Sequence, residues 1–289
     1  MPALRIASIE RGSYRIHARE QPGTGPAIVL LHGFPDNHHL YDRLVPHLEG
    51  RHVAVFDFLG WGESDKPADH AYTFANQTDD LDAVVRGLGL DQVVLVPHDA
   101  SGPAAINWAL DHPSQVAGIV ALNTFYGDIP QASLKPPEAI RLFSDPNFAR
   151  LTAHFAASPM QFRWLYDFQV GGFIEHDDVR REFVPLLFKQ FEDQPSTVEP
   201  FLRLNADLVP AVLAATERAA TGALSEFGSP VRVAFGENDS YLTAAYGAAF
   251  ADLFPHGEAA PIAGAAHFPQ LDAPAEVARS ILTAPTLSG

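Results

Sequence analysis

Cysteine is absent from this chain of 289 residues, which excludes disulfides, thiolate metal ligands and a cysteine nucleophile. Basic clusters are equally missing. Nineteen Lys and Arg stand against 35 Asp and Glu, giving a net charge of −16. Such an acidic surface repels polyanions, so neither nucleic acid nor an anionic membrane is an expected partner. No run approaches the roughly 18 apolar residues that a membrane span needs. The opening stretch, MPALRIASIERGSYRIHARE, is broken by charges and has no apolar h-region, so the expectation is a soluble, cytoplasmic protein without a secretory signal. Internal repeats and low-complexity segments are lacking too. Charged residues make up only 19% of the chain and hydrophobic ones 47%, a balance that implies a sizeable core rather than disorder.

What is present is an alternation of short apolar runs with helical patterns. Residues 92–103, QVVLVPHDASGP, pass from Val93, Val94, Leu95 and Val96 into a polar corner and then a small-residue helical run. A short apolar run without alternation reads as a strand buried on both faces of a parallel sheet. The switch from strand to helix thrusts one side chain out at the apex, that of Asp99. Upstream, residues 3–18 read as a hairpin around Arg11 and Gly12. Residues 27–31 and 52–56 read as buried strands. Between them a helix is expected, capped by Asp36 or Asn37, with Leu40, Leu44 and Leu48 on one face. The glycine-rich DFLGWGES at 57–64 is a loop, 73–88 a helix and 116–122 another strand. From about 128 to 227 no buried strand is legible, and prolines cut helical patterns such as Phe183, Leu186, Leu187 and Phe191 into short helices. The rhythm resumes with a strand at 231–235, a helix at 241–253, a strand near 258–262 and a closing helix from 273. The expected fold is α/β, a doubly wound, mostly parallel sheet. Residues 1–127 and 228–289 form its core domain, and 128–227 an inserted helical cap, or lid.

Five stretches, in this order, resemble the motifs of the α/β-hydrolase fold family, and the resemblance covers nearly the whole chain. HGFP at 32–35 is similar to that family's oxyanion loop, and DFLGWGES at 57–64 to its glycine-rich turn. The corner at Asp99 is similar to its nucleophile elbow, FGEND at 235–239 to its acid-bearing loop, and AAHFPQLDAP at 265–274 to the loop carrying its base. Pro97 stands where the family usually has glycine. Ser101 is a rival nucleophile. A strained elbow, however, needs small residues two places before and after the apex. Asp99 has Pro97 and Ser101 there, whereas Ser101 has Asp99 and Pro103 and falls half a turn into the helix. The resemblance implies that Asp99 attacks an electrophilic carbon to form an alkyl ester, which a water activated by His267 then hydrolyses. Asp239 would orient His267, with Asp128 as a rival acid, and the backbone N–H groups of Phe34 and Ala100 would hold the oxyanion. Asp272 is expected to brace the final loop and Trp61 to pack beneath the glycine-rich turn.

Family members with an aspartate nucleophile are epoxide hydrolases or haloalkane and haloacid dehalogenases. HGFP with a His98-Asp99 elbow is more similar to the epoxide hydrolases, which implies an epoxide opened to a vicinal diol. Tyrosine phenols in the cap usually protonate the epoxide oxygen, and Tyr166 is the only tyrosine of the proposed cap. The second has no counterpart in EPFLRLNADLV, and Tyr126 or Asn205 is the expected stand-in. Dehalogenases carry a Trp, or for haloacids an Arg, directly after the nucleophile, where this chain has Ala100. Trp164 is then the remaining donor toward halide. Plain packing inside the cap is the alternative role for Trp164 and Tyr166. No cofactor or metal is implied. Glu175, His176, Asp177 and Asp178 are consecutive and cannot converge on one ion from a helix, and His38 and His39 are expected on an exposed helical surface. The expected partners are a small apolar electrophile, an epoxide or alkyl halide, and water, acting on a monomer or homodimer. Two alternatives stay open: a Ser101 esterase, and a non-catalytic ligand-binding protein of the same fold.

Overall fold

The apolar run at residues 93–96 forms the middle of the sheet, because every residue of its strand is buried. The structure is a computed structural model that describes residues 4–129, 132 and 144–284. Eight strands lie in the order β1-β2-β4-β3-β5-β6-β7-β8. They are β1 Arg5–Arg11, β2 Tyr14–Gln21, β3 Thr24–Leu31, β4 Arg51–Phe56, β5 Val93–Asp99, β6 Val116–Thr124, β7 Val231–Val233 and β8 Gly257–Ala259. The first two pair antiparallel around Gly12, whose φ of 63° suits a tight turn. β2 meets β4 antiparallel, and every later pairing is parallel. All the parallel strands therefore point their carboxyl ends the same way, and in such sheets ligands bind beyond those ends.

Helices α1 Phe74–Gly87, α2 Gly102–Asp111, α7 Ala244–Ala251, α8 Pro269–Asp272 and α9 Pro274–Leu282 flank the sheet. Thr73 caps α1, its hydroxyl accepting from the Asn76 N–H at 3.2 Å. Between β6 and β7 come α3 Ala149–Ala156, α4 Pro159–Gly171, α5 Asp177–Asp193 and α6 Val198–Ala220. Phe183, Leu187 and Phe191 bury one stripe of α5, the helical spacing legible in the sequence. Among the described residues no strand interrupts this insertion, and no helix is long and apolar enough to cross a membrane.

The helix expected after HGFP is instead two short 3-10 turns, His38–Tyr41 and Val45–Leu48. Pro46 has no N–H to give an α-helical bond, and the chain restarts there. Leu40, Leu44 and Leu48 are nevertheless fully buried, so the apolar spacing was a true core signal in a different local geometry. Asn37 is the cap, accepting from His39 N–H at 3.0 Å. His38 also departs from expectation. It is buried, and its Nδ1 lies 2.8 Å from Asp57 Oδ2.

Candidate active site

The carboxyl ends of β3, β5 and β6 deliver three polar groups to one place. β5 ends at Asp99, whose φ of 47° is a left-handed conformation that bulky residues avoid. α2 begins three residues later at Gly102, where a Cβ would sit 2.2 Å from Thr124 Oγ1 and 2.4 Å from the Phe125 carbonyl oxygen. Glycine there lets the helix turn away tightly beneath the apex. Gly33 does the same from β3, since a Cβ on it would lie 2.6 Å from Asp99 Cβ. This bare backbone brings the next residue onto the carboxylate, and Phe34 N–H donates to Asp99 Oδ2 at 3.0 Å.

His267, on the loop after β8, places Nε2 3.6 Å from Asp99 Oδ1 and Nδ1 2.7 Å from Asp239 Oδ2. Asp239 is fixed in turn by the Tyr241 N–H at 2.7 Å and the Asn123 side-chain amide at 2.7 Å. Asn123 also accepts from Gly236 N–H at 2.8 Å, so the end of β6 braces the acid loop. Burial would lower the His267 pKa. The charges and hydrogen bonds of Asp239 and Asp99 outweigh it and raise the pKa to about 10. Burial pushes Asp99 and Asp239 upward, but the facing imidazolium holds both below the usual carboxylate range. His98 behaves oppositely. Full burial, reinforced by the His267 charge, lowers it to about 3. Its Nε2, 2.8 Å from the His267 carbonyl oxygen, must donate, because a carbonyl only accepts.

The pocket over Asp99 is walled by Phe34, Phe74, Ala100, Phe125, Leu204 and Tyr241, with Asn205 and Leu208. Its free volume is about 20 Å³, room for about one water. Tyr241 packs its ring 5.7 Å from that of His267. Burial, with the Asp99 charge adding to it, pushes its phenol well above the ordinary value, so it keeps its proton.

The three side chains expected to contact substrate do not line this pocket. Trp164 is 63% exposed, stacked on Phe168 on the outer face of α4. Tyr166 is buried, but it lines a separate small cavity with Pro35 and Phe162. Tyr126 points its hydroxyl to Asn107 Oδ1 at 2.8 Å. Asn205, the other expected stand-in, does reach the pocket wall. Tyr241 and Asn123 were missed. Asn123 carried a signal, as a polar residue at the carboxyl end of a buried strand. Tyr241 carried none, because only the folding of the acid loop turns it inward.

The rival groups fall elsewhere. Ser101 is buried, with its hydroxyl accepting from His98 N–H at 2.9 Å and lying 2.7 Å from the His98 carbonyl oxygen. It locks the corner and is turned away from the pocket. Asp128 is exposed, whereas Asp239 holds His267. Asp272 accepts from Ala266 N–H at 3.1 Å and Glu175 N–H at 3.1 Å, tying the His267 loop to the start of α5. Trp61 is buried and meets Phe34 edge-on at 5.5 Å. Among the described residues His17, His38 and Asp57 form the one cluster of metal-ligand type. Asp57 already accepts from His38 N–H at 2.6 Å and Glu63 N–H at 2.9 Å besides the His38 ring, which is a structural brace.

This fold and this constellation of acid, imidazole and apical carboxylate define a class of protein. The chain matches the alpha/beta hydrolase fold family over residues 26–274 and belongs to it. It is 41% identical over 106 residues to a fluoroacetate dehalogenase from Burkholderia sp, a match covering 35% of each chain. It is 34% identical over 130 residues to bifunctional epoxide hydrolase 2 of Rattus norvegicus, covering 44% of this chain and 23% of that one. The matches thus span about a third and a quarter of the lengths of these two relatives. A solved alpha/beta hydrolase fold protein from Burkholderia ambifaria superposes with a TM-score of 0.80 at 23% identity, covering 97% of this chain and 98% of that one.

Proposed function

We propose that this protein is a cofactor-free hydrolase working through an aspartyl ester, with an epoxide as substrate and a vicinal diol as product. The observation that carries the reading is the Asp99 carboxylate. It stands at the apex of a left-handed corner, with Phe34 N–H at 3.0 Å on one oxygen and His267 Nε2 at 3.6 Å from the other. In the first step an Asp99 oxygen attacks an epoxide carbon, the C–O bond breaks, and the ring oxygen takes a proton from Tyr241. Ester formation removes the negative charge beside His267. Its pKa then falls from about 10, and the imidazolium passes its proton to the Tyr241 phenolate, which restores the phenol and leaves His267 a neutral base. His267 next takes a proton from water, which attacks the ester carbonyl. The oxyanion is held by the backbone N–H groups of Phe34 and Ala100. Collapse expels the diol alkoxide, which recovers the proton from His267, and leaves one water oxygen in the Asp99 carboxylic acid. That acid then gives its proton to His267 and restores the starting ion pair.

Carbon–halogen hydrolysis by the same groups is the second reading, favoured by the similarity to a fluoroacetate dehalogenase. Ala100 follows Asp99 and offers no side-chain donor to a departing halide, and this favours the epoxide. The deciding experiment is a single turnover in ¹⁸O-water, with peptide mass analysis of residues 93–101 and assays for diol and halide. A gain of about two mass units on Asp99 together with diol supports the reading. Label with halide release moves it to the dehalogenase. Absence of label with any reactive substrate defeats the aspartyl ester.

A further inference from the structure

A cavity of about 730 Å³ lies between α3 and α6, beside the catalytic pocket. Ala149 and Ala153 of α3 line it, with Leu202, Val209 and Leu213 of α6 opposite. Its size falls within the range of roughly 300–1,000 Å³ typical of small-molecule sites. Leu208 belongs to the wall of this cleft and to the wall of the pocket over Asp99, so the two spaces adjoin at that side chain. α6 therefore presents apolar residues in two directions. Leu204 and Leu208 face the catalytic pocket, while Val209 and Leu213 face the cleft, 51% and 59% exposed. A helix covering a core on one side does not ordinarily leave aliphatic side chains bare on a second.

We infer that this cleft receives the unbranched, uncharged alkyl tail of the substrate, passing Leu208, while the reacting carbons sit over Asp99. The inference rests on the proposed reaction and deepens it. The free volume over Asp99, about 20 Å³, holds about one water, so the wall must give way for any substrate, and the adjoining space lies beyond Leu208. The polar side chains of the cleft include the carboxylates of Asp128 and Asp145, which repel a fatty-acid head group and select a neutral chain. Pro210 gives no N–H to the Ala206 carbonyl, so the turn of α6 next to Leu208 is held by one helical bond fewer and yields as a chain enters.

The test is a series of 1,2-epoxyalkanes of four to twelve carbons, with binding of the matching 1,2-alkanediols measured separately by calorimetry. Each methylene buried should raise kcat/KM, and diol affinity, by about threefold to fourfold. Leu213→Asp should flatten both series, whereas Met160→Asp, 80% exposed on α4, should leave them as in the wild type. If no epoxide turns over but diol affinity still climbs with length and loses that climb in Leu213→Asp, the cleft stands and the reaction reading falls. If epoxides turn over with no dependence on length, or diol affinity is flat, the cleft inference is overturned while the reaction stands or falls on its own assay.

Discussion

At Asp99 the left-handed φ costs a non-glycine residue about 1–2 kcal/mol, and the surroundings hold it there. Thr124 donates to the Asp99 carbonyl and Phe34 N–H to its carboxylate. Truncating the side chain in Asp99→Ala should lower turnover at least about a thousandfold, the scale seen when a member of a catalytic triad is removed. It should also move a neighbour. His267 owes its pKa of about 10 to two carboxylates that outweigh burial. With one gone, burial counts for more, and the imidazole returns toward its ordinary range, which NMR titration of the ring would read. Formation of the proposed aspartyl ester would make the same change in charge. As pH falls, more of the ester-state His267 is protonated and unable to act as base, so the ester should accumulate. Rapid-quench mass measurements across pH 5 to 9 check this, and an ester fraction indifferent to pH would remove His267 from the second step.

Elements meet at this site by their ends, and Asn123 shows how much depends on one junction. It sits at the close of β6 with a φ of 32° and bonds both Gly236 N–H and Asp239. Asn123→Leu would leave a buried N–H unpaired, cost about 2–3 kcal/mol of stability, and lower kcat through a loosened Asp239. Urea unfolding beside steady-state kinetics separates the two effects, and a variant of unchanged stability and kcat would contradict the bracing role. The same junctions mark what the sequence disclosed. β5 was legible because a strand buried on both faces shows an unbroken apolar run, and the corner after it because small residues must flank a strained apex. The turns after HGFP were not, since Pro46 breaks a helix whose apolar spacing survives it. Trp164 and Tyr166 were misplaced for another reason. Both lie on α4, and chain position does not tell which face of a helix turns toward a pocket built by other elements. Tyr241 and Leu208 reach the pocket only through tertiary closure, which no local pattern records.

Across the whole molecule, buried ionisable groups set a pH dependence of stability whose sign follows from their shifts. Asp36 is wholly buried with neither carboxylate oxygen hydrogen-bonded. Burial, helped by the Asp99 charge, raises it to about 8. Burial also raises Asp80 to about 7, although the hydrogen bond from Leu59 N–H and the charge of Arg11 partly offset it. Where a folded-state pKa is raised, the native protein keeps a proton that the unfolded chain has lost. Stability then falls as pH climbs from the unfolded value to the folded one. For Asp36 and Asp80 that window opens near pH 4, and for His267 it runs from about 6.5 to about 10. His98, lowered to about 3, works the other way, with stability lost as pH drops from about 6.5 toward 3. Between these limits the contributions oppose one another. Between pH 6.5 and 8 the raised groups dominate, so stability should decline over that range, by at most about 1.4 kcal/mol per pH unit for each proton. Above it Lys66, lowered to about 8 by burial, contributes an opposing rise. The net charge of −16 adds self-repulsion, and salt near 1 M shortens its reach to about 3 Å. Urea midpoints at that salt should therefore still fall with pH, and Asp36→Asn should flatten the fall and leave the protein more stable than wild type at pH 8.5. Parallel curves for the two proteins would mean that Asp36 ionises freely, with a partner satisfying the oxygens that now stand bare.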